Sequence, residues 1–318
     1  MNDFRFPTAV TGFCCEFRIG EGEDSFAYAF DMKNMGFISV FDGCGGMGSD
    51  TYSYIGGQSG ARLAAACAAA VTDSFYHAEC FRFDGDDSSY LKSALEDNFH
   101  EISELVKNSS AKSTISSNML RTMPTTAAIA AFLQAEDSLE CEFIWAGDSR
   151  GYLIDNRGMM QVTSDDLSTD EDAFDNLRND SLLSNVICAD RDFVLHEKRM
   201  TIKKPVIAAV FTDGCFGYYS TPIQFEYYLL ESLCYASSPN DWRDKFIEIS
   251  RNIAGDDFTA AIAVYGFDSF EQCKKYYYPR LHQLYDEYIK FIDENTEEEM
   301  LYSQWTKYKK EYYRKWQN

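Results

Sequence analysis

Apolar positions along the chain fall into two patterns. Short apolar runs at 37–41 (FISVF), 127–133 (AAIAAFL), 142–146 (EFIWA), 152–154 (YLI), 206–211 (VIAAVF) and 259–265 (TAAIAVY) are flanked by Gly, Asp or Thr. Runs of that kind predict buried strands rather than helices. Elsewhere apolar residues recur at spacings of three and four. The alanine-rich stretch 57–75 predicts one helix. A second is predicted over 89–107, with Leu91, Leu95, Phe99, Ile102 and Leu105 on one face. Segments 224–234 and 241–253 predict two more, with Asp241 capping the latter. A long helical block thus separates groups of strands, without regular strand–helix alternation, and this points to a layered α+β domain.

Two segments depart from this pattern. Residues 164–190 have little apolar content before Leu182, and from Asp165 to Asp190 they carry eight acidic residues against the single basic Arg178. They read either as a solvated insertion or as a flap beside a site. The tail from Asp268 is rich in aromatics. Pro279 is placed to open a helix with Leu281, Leu284, Tyr288, Phe291 and Ile292 on one face. Thr296 and Glu299 form a capping-box pattern, followed by Leu301, Trp305, Tyr308 and Tyr312. This predicts a C-terminal helical hairpin (268–318) with an aromatic stripe that packs on the body (1–267) or docks a partner.

Composition narrows the function. With 318 residues, 45% of them hydrophobic, the chain can bury a sizeable core. Its net charge of −22 argues against unassisted binding to nucleic acid or anionic membranes. From Asp268 onward 9 basic residues face 10 acidic ones, so nearly all the excess charge lies in the body. The first ten residues lack the apolar core of a secretory signal, and no apolar run approaches the ~20 residues of a membrane span, so a cytoplasmic location is expected. The 10 Cys show no C-x-x-C spacing and the 4 His are scattered, which disfavours disulfides and zinc.

The candidate chemistry lies in acidic residues at strand ends. Asp42–Gly43 follows one apolar run, Asp148 sits between two, Asp213–Gly214 follows a fourth, and Asp256–Asp257 precedes the last; Glu23–Asp24 comes earlier. Each alone is an ordinary turn signal. Together, rigid strand ends can hold several carboxylates at fixed separations, and such a group repels itself unless cations neutralise it. Hard oxygen ligands suit Mg²⁺ or Mn²⁺, and a pair of such ions suits in-line displacement at phosphorus.

At these residues the sequence resembles the metal-dependent protein Ser/Thr phosphatases of type 2C (PPM-type), in a bacterial-like form. Glu23–Asp24–Ser25 resembles the family's acidic element, Asp42–Gly43–Cys44–Gly45–Gly46 its DGHGG element, and Pro124–Thr125–Thr126–Ala127 its GTTA strand. Gly147–Asp148–Ser149–Arg150 matches GDSR without change. The sequence Val162–Thr163–Ser164–Asp165–Asp166 resembles LTxDHS, Thr212–Asp213–Gly214 resembles SDG, and Asp256–Asp257–Phe258–Thr259 resembles DNxT. The resemblance spans roughly 13–267 and leaves out the tail.

The resemblance implies a four-layer α-β-β-α sandwich of two antiparallel sheets. It implies two, or three, Mn²⁺ or Mg²⁺ ions, and hydrolysis of phosphoserine or phosphothreonine in a phosphoprotein substrate by a metal-bridging water, without a phospho-enzyme. Asp42 would bridge two metals with the Gly43 carbonyl on one of them. Asp213 and Asp256 would complete the first metal's carboxylates, Glu23 would act through waters, and Asp148 with Asp213 would serve a third ion. Residues 164–190 fall where the family has its flap, whose acids would favour substrates with basic flanks.

Three positions depart from the family pattern. Cys44 replaces a frequent His, a proposed general acid; we read it as space-filling. Arg18, the nearest candidate for a phosphate-binding Arg, is off by one residue. Asp257 replaces an Asn and adds charge. The alternative function is a catalytically weak regulatory or partner-binding module on the same scaffold.

Overall fold

The computed structural model describes residues 6–31, 34–48, 50–53, 56–106, 110–111, 121–169, 172–179, 181–293 and 295–315. Two five-stranded antiparallel sheets lie face to face. In spatial order the first holds β1 (Ala9–Cys15), β13 (Phe258–Tyr265), β12 (Val206–Phe211), β9 (Arg150–Asp155) and β10 (Gly158–Gln161). The second holds β11 (His196–Lys203), β8 (Ser138–Ala146), β7 (Ala127–Gln134), β3 (Met35–Phe41) and β2 (Ser25–Phe30). Short strands β4 (Thr51–Tyr52), β5 (Gln58–Ser59) and β6 (Ser110–Ala111) form a small third sheet.

The central strands are apolar throughout because both of their faces are buried. On β12, Val206, Ala208 and Val210 point between the sheets, while Ile207, Ala209 and Phe211 point outward beneath helices. The register sets Ala208 opposite Ala263 and Ala209 opposite Ile262, so β13 alternates in step. Small alanines on these strands let the two sheets approach closely. Helices α1 (Gly60–His77) and α2 (Asp87–Val106) cover the second sheet. Helices α4 (Pro222–Cys234), α5 (Pro239–Arg251), α6 (Phe270–Glu287) and α7 (Glu298–Tyr312) gather over the first. A one-turn helix, α3 (Ala173–Asn176), lies in segment 164–190, the expected flap. This is the α+β, four-layer α-β-β-α sandwich expected, and a C-terminal helical pair is added to it.

Several details differ from expectation. Helix α1 begins at Gly60 rather than 57, because Gly56 and Gly57 take positive φ and Ser59 supplies the cap. Ser238, not Asp241, caps α5; Pro239 opens that helix, and Asp241 instead accepts hydrogen bonds from the Ser237 amide and hydroxyl. Pro279 lies inside α6, which starts nine residues earlier behind its cap Ser269. The Thr296 hydroxyl turns back to Asp293, so no capping box forms and Glu297 precedes α7 without a side-chain cap. Phe291, placed on the apolar face, is 50% exposed. The end of the second helix expected at 107 lies outside the described residues.

The aromatic stripe packs on the body. Leu301, Trp305, Tyr308 and Tyr312 are all buried, and the Tyr312 hydroxyl meets that of Tyr152 on β9 at 3.0 Å. Beneath them Arg280 of α6 pairs with Glu226 of α4 at 2.8 Å, both essentially unexposed, and the Tyr308 hydroxyl donates to the same carboxylate. Gly158, at φ +121, is what admits Arg280: a Cβ there would stand 2.4 Å from a guanidinium nitrogen.

A second buried acid carries a stability prediction. Glu142 on β8 is fully buried, with Asp87 and Glu197 beside it and the Arg199 guanidinium 3.8 Å from one of its oxygens. Burial first, then Asp87 and Glu197 beside it, raise it from 4.5 to about 10. The folded chain thus holds this proton more tightly than the unfolded chain does. The contribution is complete below the unfolded value and is lost as pH rises toward about 10. Glu142→Gln should therefore raise the melting temperature at pH 8 by several degrees. The gap should close near pH 4.5, as thermal melts across that range will show.

Candidate active site

The acidic residues picked out in the sequence come together at one end of the sandwich, where strands of both sheets finish. Asp42 follows β3, Asp148 lies in the β8–β9 turn, Asp213 opens a single 3₁₀ turn after β12, Asp256 and Asp257 precede β13, and Glu23 and Asp24 precede β2. Local hydrogen bonds fix their backbones. The Asp42 carbonyl accepts from the Thr126 amide at 2.9 Å and the Thr125 hydroxyl at 2.7 Å. The Thr126 and Ser149 hydroxyls are 2.7 Å apart, which ties the β7 entrance to the turn carrying Asp148. The Thr212 hydroxyl donates to Asp24 at 2.9 Å and accepts from the Thr259 amide at 2.9 Å, and so joins three of the segments.

These carboxylates share one electrostatic field. Burial, then Asp24 and Asp213, raise Asp42 well above the usual carboxylate range. Burial, then Asp213 and Asp165, do the same to Asp148. Asp24 is pushed up to about 8 by burial against its hydroxyl partners, with Asp213 adding to it. Burial is also the first cause for Glu23 and Asp256, reinforced by Asp257 in both cases and by Asp213 for Asp256. Anionic groups gathered this way are stabilised by losing charge or by binding cations. Among the described residues no three His, Cys, Asp or Glu side chains are drawn together tightly enough to hold a metal ion as they stand. The all-oxygen donor set nonetheless fits hard divalent cations. Gly43 matters for close approach: a Cβ there would stand 2.6 Å from the Glu23 carbonyl oxygen.

Three partners of the site were not legible as such. Ser59 caps α1 by accepting from the Arg62 amide at 3.1 Å, and its hydroxyl donates to Glu23, so the helix terminus orients that carboxylate. A polar residue just before an alanine-rich helix was the available signal. Arg150 forms a buried bidentate pair with Asp165, with nitrogens at 2.9 and 2.5 Å, and its guanidinium lies 4.2 Å from the centre of the Phe216 ring, three residues past Asp213. Arg62 is the third. It donates to the Gly20 carbonyl at 3.3 Å and lies close enough to Glu23 to oppose the rise of its pKa.

The departures from the family pattern acquire physical accounts. Asp257 accepts from the amides of Phe17 and Glu23, each at 2.7 Å, and so staples the loop that carries Arg18 and Glu23. Both of its oxygens serve this staple. Arg18 is 76% exposed, 3.7 Å from Glu21, and close enough to Asp256 to oppose the rise of its pKa. Burial, then Asp42, Asp148 and Asp213, push the Cys44 thiol far above its ordinary range.

The flap is partly a packed element. Ala173, Phe174, Val186, Ile187 and Cys188 are buried, and Ile187 exchanges two 2.9 Å backbone bonds with Thr125. Among the described residues, four of its acids are seen bound to the chain itself. Asp165 holds Arg150, Asp166 accepts from the Gly147 amide and contacts His196, Asp172 holds Lys309, and Asp190 accepts from the Thr122 amide. Asp170, Glu171 and Asp180 lie outside the described residues. A cleft of about 300 Å³ beside the flap is lined by Asp148, Asp213, Leu167, Asn176 and Tyr218. A larger cavity, about 960 Å³, lies away from Asp42 and Asp213, between the flap, β11 and the end of α7.

No protein-family profile matches the chain, and no curated protein matches it in sequence. Solved structures match it in fold. A bacterial serine phosphatase aligns with a TM-score of 0.59 at 15% identity, over 82% of this chain and 99% of its own. The serine/threonine phosphatase Stp1 from Staphylococcus aureus aligns at 0.59 and 15%, over 81% and 95%. The catalytic domain of the serine/threonine protein phosphatase PstP, solved with two manganese ions, aligns at 0.53 and 17%, over 80% and 97%. The chain has the fold of these proteins.

Proposed function

We propose that this chain, built on the fold of the bacterial serine/threonine phosphatases, is a Mn²⁺- or Mg²⁺-dependent hydrolase of phosphoserine and phosphothreonine in proteins. The convergence of carboxylates from both sheets on one end of the sandwich carries the reading. Asp42, the Gly43 carbonyl, Asp213 and Asp256 are assigned to hold two cations, Glu23 to act through waters, and Asp148 with Asp213 to serve a third ion. The manganese in PstP favours Mn²⁺ here. When bound, the cations supply a water poised for in-line attack at phosphorus and neutralise the charge that develops.

The chain's own groups do the rest. Asp257 staples the loop that presents Arg18 to the phosphate, the Ser59 hydroxyl orients Glu23, and Arg150 supports the turn bearing Asp148. The partner is a phosphoprotein. Outward residues of the C-terminal helices such as Tyr278, Tyr285 and Tyr302 are available to dock a further partner, since the stripe is buried. Asp165, Asp166, Asp172 and Asp190 are tied to the chain itself, so any preference for basic substrate flanks would rest on the other acids of the segment.

Two experiments test this reading. In ¹⁸O-labelled water, direct attack places one label in the released phosphate and leaves no phosphate on acid-quenched protein; a trapped phospho-protein would sink the mechanism. Cys44→Ala should change kcat by less than about threefold, far short of the ~10²–10⁴-fold loss expected on removing a general acid. A larger loss, confined to alkyl rather than aryl phosphates, would make the thiol a proton donor after all.

A further inference from the structure

The flap stands between two empty volumes. Asp165 and Asn176 line both the cleft that holds Asp148 and Asp213 and the 960 Å³ cavity behind it. A segment backed by empty space is not held in place by packing alone, so its polar ties decide where it sits. At one end the tie is Arg150, whose buried pair with Asp165 is extended by Asn176, donating to Asp165 at 3.0 Å.

At the other end the ties come from the C-terminal helix. One Asp172 oxygen caps α3 by accepting from the amides of Phe174 and Asp175 at 2.9 and 3.1 Å. Its other oxygen accepts from Lys309 at 2.6 Å and from the Trp305 indole at 3.0 Å. Phe174 stacks on Trp305, with centroids 6.1 Å apart and planes 11° apart, and Arg178 lies 3.5 Å from the centre of the Phe174 ring on its way to Glu298 at 3.2 Å. The Ala173 amide donates to the Tyr313 hydroxyl at 2.7 Å. Burial opposes ionisation of Asp172, yet Lys309 and Trp305 outweigh it and hold the carboxyl below its ordinary value.

We propose that α7 latches the flap, with Lys309 and Trp305 as positioning residues that hold Asp172 and thereby set the wall of the cleft formed by Leu167, Asn176 and Leu177. The latch governs substrates long enough to reach that wall. Small phosphates that touch only the carboxylate end are indifferent to it. Its kinetic consequence rests on the phosphatase reading; the latch itself does not.

The test uses the full chain with Lys309→Met, Trp305→Phe and the charge-conserving Lys309→Arg. Lys309 is 45% exposed, so its replacement leaves the core intact. Hydrogen exchange at the flap amides 173–179 should speed up about tenfold in Lys309→Met and Trp305→Phe, the scale of losing one charge-assisted hydrogen bond, while β12 and β13 stay unchanged. With Mn²⁺ present, Lys309→Met should raise KM for a phosphoserine peptide about fivefold and leave kcat/KM for a small aryl phosphate within twofold, and Lys309→Arg should restore the peptide KM. Unchanged flap exchange overturns the latch. Faster exchange with an unchanged peptide KM overturns its role at the site. If no variant hydrolyses either substrate, the phosphatase reading fails, and exchange alone still decides whether the latch exists.

Discussion

Asp213→Asn is expected to lower kcat for a phosphoserine peptide by roughly 10²–10³-fold or more, the scale of losing one preorganised charge at a transition state. Asp213 contributes to raising Asp24, Asp42, Asp148 and Asp256. It is therefore the carboxylate whose field reaches most of the others. The same repulsion gives a second, opposite expectation. In chelator the variant should be at least as stable as wild type, because one of several crowded anions has become neutral. Saturating Mn²⁺ should stabilise wild type by about 2.7 kcal/mol at a hundred times Kd, and the variant should lose most of that gain. Kinetics and melts with and without Mn²⁺ read both effects. A variant that melts low in chelator would mean that Asp213 serves the fold and not a cation.

Deleting residues 268–318 is the second large effect, and the deleted chain should be insoluble. The tail contributes Leu281, Leu284, Trp305, Tyr308 and Tyr312 to the same core as Phe211, Phe225 and Leu229. It also supplies Arg280, without which Glu226 is left buried and unpaired. Breaking such a pair costs about 3–5 kcal/mol, before the exposed apolar face of α4 and β9 is counted. Recovery of soluble, cooperatively melting protein after the deletion would show that the helices serve partners rather than the fold.

How much of this the sequence disclosed follows from burial. The central strands read as apolar runs because helices or a second sheet cover both of their faces. Within the two large sheets four strands gave no such run: β1, β2, β10 and β11, their edges. On β11 only Ile202 is buried, so HEKRMTIK reads as surface. The site carboxylates were legible because strand ends are marked by turn residues in sequence. Their supports were not, because each depends on a long-range approach: Ser59 to Glu23, Thr212 to Asp24, Asp257 to Phe17 and Glu23. The acidic segment 164–190 read as a charged surface, and folding bound Asp165, Asp166, Asp172 and Asp190 to the chain itself. Helix starts slipped where capping residues cluster, as at Ser237–Ser238–Pro239–Asn240–Asp241. Among the described residues no helix is long and apolar enough to cross a membrane.

The central claim is tested most directly by phosphate release from a phosphoserine peptide, measured on the full chain in Mn²⁺ and again after chelation. The carboxylate field predicts steady release with the metal, none without it, and recovery when Mn²⁺ is restored. Release that continues in chelator would contradict a metal-dependent mechanism. Mn²⁺ binding without any release would contradict the enzyme and leave the regulatory module on the same scaffold.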